Sequence, residues 1–185
     1  MKIIGDRVSI LEKDNVFSLV ILPTTEKKKL WMLFFWLMAW TICGIIVFGN
    51  YFTVQNKEAK VFIIVYLSFW AYFEYTIAKA YTWKKFGKEK LWIKNGKLHY
   101  QREVSGKGKI KEYDLELIND LEVIEVSATS FMDNINQSFW IKGGERLEFQ
   151  CQGKVVRFGM QLSDKEAKDV YKALRNFILG ERIKN

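Results

Sequence analysis

The 185-residue chain predicts a membrane-spanning α-helical hairpin joined to a small α+β domain. Three observations carry that expectation. Two apolar stretches, Leu30 to Phe52 and Val61 to Trp83, each reach the ~20 residues a helix needs to cross a ~30 Å hydrocarbon core. Short alternating segments broken by glycine turns follow from Leu91 to Gly159. One amphipathic stretch with a helix-start signature, Ser163 to Leu179, then closes the pattern. The expected organisation is a β segment over 1–25, a helical hairpin over 26–85 with spans near 30–52 and 61–83, and a domain over 86–185.

Before the first span, Val8 to Glu12 and Val16 to Leu22 are β-rich runs separated by Lys13-Asp14-Asn15 and ended by Pro23. They read as a short hairpin, or as one strand and an arm. A free two-stranded hairpin is marginal in water, so this segment is expected to pack on the C-terminal domain. Met1 to Leu22 mixes charges with apolar residues and lacks the apolar core of a signal peptide, which makes the first span a retained anchor. Leu30 to Asn50 holds no charge, whereas the second span carries Glu74 well inside it and Lys79 near its end. Lys27, Lys28 and Lys29 abut the first span, and Lys84, Lys85, Lys88 and Lys90 follow the second. The connecting loop offers only Lys57 and Lys60 against Glu58. This basic bias puts both termini in the cytoplasm.

Beyond the spans, Leu91 to Lys94 and Lys97 to Val104 flank Asn95-Gly96, which supplies the positive φ of a two-residue hairpin turn. Ser105-Gly-Lys-Gly108 is the next turn, before Ile110 to Leu115. Leu121 to Val126 and Phe139 to Lys142 are further strand segments. Gly143-Gly144 leads into Arg146 to Cys151, and Gln152-Gly153 into Val155 to Gly159. In the first of these, Leu147, Phe149 and Cys151 alternate with Arg146, Glu148 and Gln150, a sheet with one wet face. Ser163 and Glu166 form a capping box, and Ala167, Val170, Tyr171, Leu174, Phe177 and Ile178 make an apolar stripe ending at Gly180. A meander closed by one helix describes a small β-barrel or curved antiparallel sheet with the helix over its open end.

Charge and composition narrow the chemistry. The net charge of +8 is unevenly spread: Lys84 to Lys111 holds ten Lys or Arg against Glu89 and Glu103, and Glu112 to Glu125 holds six acids and no base. The basic block begins where the chain leaves the second span, so anionic lipid headgroups are its nearest partner, with Lys84, Lys85, Lys88, Lys90, Lys94 and Lys97 as the contact residues. A solvated face plus topology signals explains the same lysines. Nucleic-acid binding would need exposed aromatics mixed with the bases on a recognisable module, and the sequence has none. Cys43 and Cys151 are too far apart in the chain for a disulfide framework and read as small apolar residues. His99 is the sole histidine, with no other metal ligand beside it. Ser105-Gly-Lys-Gly108 lacks the phosphate-loop pattern, and the acids from Glu112 to Glu125 alternate with leucines as a strand's wet face. No catalytic, metal or cofactor residue and no small-molecule substrate is expected.

Glu74 asks for a functional explanation. It lies thirteen residues after Val61 and nine before Trp83, roughly 20 Å and 14 Å along a helix, close to mid-membrane. An acid there is protonated, paired, or turned to a protein or water cavity. Trp70, Ile77, Ala78 and Tyr81 share its side; Trp36 and Trp40 share a side of the first span, beside Ala39, Cys43 and Gly44, which permit close helix approach. Two roles follow for Glu74: a protonated lock bonded to an indole or phenol or between subunits, or a proton or cation site. The span-packing residues are Trp36, Trp40, Cys43, Gly44 and Trp70.

The strands from Leu91 to Phe158 with the Ser163 to Leu179 helix resemble the bacterial pleckstrin-homology-like domain. Trp36-Leu-Met-Ala-Trp40, Phe86-Gly-Lys-Glu89, Lys111-Glu-Tyr-Asp-Leu115 and Val156-Arg-Phe-Gly159 are similar to segments of small two-span bacterial membrane proteins of this type. The resemblance implies fold rather than activity. Lipid-binding eukaryotic relatives carry a basic cluster across the first hairpin; Lys94, Lys97 and Arg102 lie near those places with a different spacing. Two spans followed by a small β domain is also the layout of assembly factors of photosynthetic membranes. The expected function is a non-enzymatic accessory, scaffold or assembly subunit of a bacterial inner-membrane complex, contacting lipids, other membrane subunits or its own copies. The alternatives are an ion-coupled component using Glu74 and an anionic-lipid sensor.

Overall fold

The computed structural model of the chain describes residues 2–13, 15–23, 27–124 and 144–184. They form two compact units, one holding the helical hairpin and the other the N-terminal segment with the chain from Phe86 onward.

In the first unit, α1 (Lys27–Thr53) and α2 (Lys57–Phe86) are 27 and 30 residues long. Both are long and apolar enough to span a membrane. Their connection is short because each end is capped locally. Thr53 Oγ1 donates to the Asn50 carbonyl at 3.0 Å, and Asn56 Oδ1 accepts the Glu58 N–H at 2.8 Å at the start of α2.

Among the described residues, the second unit contains two antiparallel sheets and one α-helix. The larger sheet runs in sequence order through β1 (Lys2–Ile4), β2 (Val8–Lys13), β3 (Val16–Ile21), β4 (Gly87–Lys94), β5 (Lys97–Val104) and β6 (Ile110–Asp114). The N-terminal segment thus holds three strands, one more than its hydrophobic pattern indicates. It joins the later strands by backbone ladder, with Phe17 opposite Ile93 and Ile21 opposite Glu89. A single 3-10 turn, Leu115–Leu117, leads to the smaller sheet of β7 (Ile118–Val123), β8 (Glu145–Cys151) and β9 (Lys154–Met160). The proposed strand Phe139 to Lys142 and the end of Leu121 to Val126 lie outside the described residues. Three hairpins use left-handed turn pairs: Asn95-Gly96 (φ 52° and 70°), Ser105-Gly106 (50° and 82°) and Gln152-Gly153 (50° and 72°).

Helix α3 (Asp164–Lys184) begins on the expected capping box, Glu166 Oε2 accepting the Ser163 N–H at 2.8 Å. It runs past Gly180 instead of stopping there. That glycine does not take the left-handed conformation of a helix end, and a helical glycine costs only about 1 kcal/mol. The stripe Ala167, Val170, Leu174, Phe177 and Ile178 is buried with Phe17, Leu19, Leu91, Leu98, Phe149 and Phe158 in one core. Phe177 meets Phe17 at 5.3 Å, so the N-terminal strands supply part of the helix's seat. Each such large side chain contributes about 1.5–3 kcal/mol on burial.

The sheets do not close into a barrel, and among the described residues no ladder joins them. The reason lies in β9. Its free edge is met by side chains from the inner face of β4 and β5 instead of by another strand, as described below. Arg146 also departs from the wet face its alternation suggested. It is 9% exposed, and its guanidinium bonds the Leu162 carbonyl at 3.3 Å and pairs with Asp164 at the start of α3.

Candidate functional site

Within the hairpin, two contiguous layers hold the helices together. In the upper one, Gly44 is buried against the Trp70 indole, whose Nε1 donates to the Trp40 carbonyl at 3.0 Å. The lower layer pairs Thr41 with Glu74, Oγ1 to Oε1 at 2.6 Å. The partner of Glu74 is therefore a hydroxyl, not an indole or phenol. The expectation looked to aromatic residues and passed over Thr41, whose β-branched side chain gave no pattern signal. Thr41 Oγ1 also lies 2.8 Å from the Leu37 carbonyl, and a hydroxyl has one proton. That proton serves either the Glu74 carboxyl or the Leu37 carbonyl. Glu74 Oε2 and Trp40 Nε1 are buried with no hydrogen-bond partner among the described residues. Trp36 stacks on Trp40 at 5.3 Å, while Cys43 is exposed on the helix surface.

The other unit has a polar centre that the hydrophobic pattern did not disclose. Glu89 is 2% exposed, yet both its oxygens are used. Oε1 accepts from Tyr100 Oη at 2.7 Å and Arg102 Nε at 2.9 Å, and Oε2 accepts the successive N–H groups of Gly159 and Met160 at 2.8 and 3.0 Å. Gly159, at φ 76°, lets those two amides converge on one oxygen, as in an anion nest. Arg102 goes on to Glu145 at 2.9 Å and to the Arg157 carbonyl at 3.0 Å. Burial first, and the facing Glu89 second, push the Tyr100 hydroxyl far above its usual range, so it stays a donor. This network binds β4 and β5 to the edge of β9. A signal for it was present. The two-residue Asn95-Gly96 turn fixes Glu89 opposite Arg102, both in step with the apolar Leu91, Ile93 and Leu98.

The lysines assigned to lipid headgroups are placed variously. Lys84 is 2% exposed, which leaves it almost no surface for a headgroup. Lys88 lies 3.0 Å from Glu103, and Lys90 pairs with the same carboxylate, so hydrogen bonds from Lys90 and Lys88 hold Glu103 below the usual carboxylate range. Lys97 is 4.0 Å from Glu112. Lys85 and Lys94 are exposed, the former over the Tyr81 ring at 5.5 Å. His99 stacks on Trp92 at 5.2 Å with Nδ1 3.6 Å from Glu112.

A further clamp ties the β1–β2 turn to α3. Arg7 pairs with Glu166 at 3.1 Å and bonds the Gln161 carbonyl. Burial alone would raise the Glu166 carboxyl, but Arg7 and Ser163 outweigh it and hold the group below its ordinary value. A lowered carboxylate stabilises the fold above its unfolded pKa, and that stability is lost as pH falls through the folded one. Arg7→Ala is accordingly expected to move acid unfolding to higher pH. Circular dichroism through an acid titration checks this, and an unchanged midpoint contradicts it.

No known protein family, no curated protein and no solved structure matches the chain.

Proposed function

We propose that this chain is a non-enzymatic accessory or scaffold subunit of a bacterial inner-membrane assembly. Its two helices span the bilayer with both termini in the cytoplasm. The sheet unit, similar to bacterial pleckstrin-homology-like domains, meets protein or lipid surfaces. The observation that carries this reading is the internal use of Glu74. Its carboxyl is spent on Thr41 between the helices, which leaves outward faces rich in Trp31, Phe35, Phe48, Phe62, Phe69 and Tyr72 for docking on other subunits or copies. Large rigid aromatics contribute more contact area per ordered side chain than aliphatic residues do.

One observation favours a second reading. The unpartnered Glu74 Oε2 is where an ion-coupled protein would hold its proton. Glu74→Gln separates the two, because the amide keeps a neutral hydrogen-bonding group at Thr41 but cannot titrate. The scaffold reading expects the variant to co-purify, after gentle detergent extraction, with the same assembly as wild type and to support the same cellular activity. Preserved assembly with lost activity would establish ion coupling instead. A protein extracted as a lone monomer, with neither partner nor second copy, would overturn the scaffold reading.

A further inference from the structure

The geometry points to a phosphate-binding cleft in the sheet unit, built around Lys109 and Lys111 and open to a phosphomonoester group. The cleft has a volume of about 450 Å³ and lies between the β5–β6 hairpin and the edge of β9. That is the scale of small-ligand sites. Its cations are Arg102, Lys109, Lys111 and Arg157; its one acid is Glu145.

The pairing of these groups decides what the cleft attracts. Glu145 is turned to Arg102 at 2.9 Å, and Arg157 is matched by Glu148 at 2.9 Å. Lys109 and Lys111 have no acidic partner among the described residues, in contrast to Lys88 and Lys90 on β4, which pair with Glu103 on the opposite face of the same sheet. Two unmatched ammonium groups at one opening are a site for a dianion. The β-strand edge adds neutral donors. In the β8–β9 ladder the two-residue turn directs the N–H and C=O groups of Val155, Arg157 and Gly159 away from β8. The Arg157 carbonyl is taken by Arg102 and the Gly159 N–H by Glu89, which confirms the direction. The Val155 and Arg157 N–H groups leave the same edge, where no strand lies beside β9 among the described residues.

The backbone leading to the two lysines is braced before any ligand arrives. Val104 and Lys107 exchange backbone bonds at 2.9 and 3.0 Å across the Ser105-Gly106 turn, and Gln101 Nε2 bonds the Gly108 carbonyl at 2.9 Å. A Cβ on Gly108 would run into the Arg102 carbonyl, so the chain entering Lys109 lies tight against β5. Tyr100, opposite Lys111 in the ladder, is fixed by Glu89. Two lysines on a braced backbone, with edge amides beside them, suit the tetrahedral dianion of a phosphomonoester better than a singly charged carboxylate. The phosphate could belong to a soluble metabolite or to a lipid headgroup. The inference is independent of the role given to the hairpin.

The test uses the full chain in phosphatidylcholine nanodiscs, titrated calorimetrically with sn-glycerol 3-phosphate. Saturable binding is expected, weakened at least about tenfold by Lys109→Ala with Lys111→Ala. A control pair, Lys165→Ala with Lys172→Ala on the exposed side of α3, should leave it unchanged. Both double variants should keep the wild-type unfolding midpoint. In a second arm, nanodiscs containing a minority of phosphatidic acid are examined by native mass spectrometry. Phosphatidic acid retained by wild type and lost from the Lys109/Lys111 variant assigns the headgroup, whereas glycerol phosphate binding without such retention assigns a soluble ligand. Binding in neither arm, or equal weakening by the control pair, overturns the proposal.

Discussion

Glu89→Ala is expected to destabilise the sheet unit by about 3–5 kcal/mol, a large part of the ~5–15 kcal/mol that holds an ordinary domain together. The size follows from what is left behind. Removing the carboxylate takes an acceptor from the Arg102 guanidinium, which keeps Glu145, from a buried phenol hydroxyl and from two backbone N–H groups. A buried donor without an acceptor costs about 1–3 kcal/mol, and a charged one more. Glu89→Gln should be nearly as damaging despite its equal shape. Both Glu89 oxygens face only donors, so an amide satisfies one side and presents its own N–H groups to the other. Glu89→Leu combined with Arg102→Met removes the guanidinium that has lost an acceptor and should recover part of the loss. Recovery stays incomplete because the Gly159 and Met160 amides remain unpaired. Chemical unfolding of the full chain, followed by β-sheet circular dichroism, measures the differences. Hydrogen exchange reports the cause: both amides should be protected in wild type and exchange rapidly in Glu89→Ala. A Glu89→Ala protein with wild-type stability would show that the sheets hold together without this network.

What the sequence disclosed and what it hid divide along a physical line. Features encoded by neighbouring residues were legible: the uncharged run from Leu30 to Asn50, the Asn95-Gly96 and Gln152-Gly153 turns, and the Ser163–Glu166 capping box. Each is set by sterics or hydrogen bonding within a few residues. Of the features that join distant segments, only the packing of the N-terminal segment on the later domain was expected, without its ladder or register. The β3–β4 ladder pairs Phe17 with Ile93 across the whole helical hairpin, and the Glu89 network reaches Gly159 seventy positions later. Charge was the most misleading local cue. Counting put Lys88, Lys90 and Arg102 in one basic block, yet Glu103 neutralises the first two from their own face and Glu89 holds the third in the interior. Strand parity separates these faces once a turn fixes the register. The unmatched pair, Lys109 and Lys111, lies at the end of the block away from the spans. Mid-hairpin, the charge of Glu74 was conspicuous while its partner Thr41 was not, because a threonine in an apolar span satisfies itself on its own backbone as readily as on a neighbour.

Gly44→Ala is expected to open the helical hairpin, although alanine is otherwise the better helix former. A Cβ at residue 44 would fall within the Trp70 ring, against Cε2, Cζ2 and Nε1. That ring cannot slide aside freely, because Nε1 is tied to the Trp40 carbonyl at 3.0 Å. Either the indole leaves its bond or the helices separate. In both cases the adjacent layer suffers: Thr41 lies three residues before Gly44 and Glu74 four after Trp70, so the 2.6 Å Thr41–Glu74 contact sits on the next turn of both helices. Overpacking costs about 1–3 kcal/mol and an interhelical hydrogen bond in lipid about 1–2 kcal/mol, which gives a combined loss of about 2–5 kcal/mol. A double-mutant cycle isolates the cause. Trp70→Leu alone should weaken the hairpin by removing ring contacts and the bond to Trp40. In the Trp70→Leu background, adding Gly44→Ala should cost far less than it does in wild type, since the flexible leucine can give way to the new methyl group. Steric-trapping measurements of hairpin opening in bicelles, with spin-label distances between α1 and α2, provide the readout. Equal cost of Gly44→Ala in both backgrounds would show that Trp70 is not what the glycine accommodates.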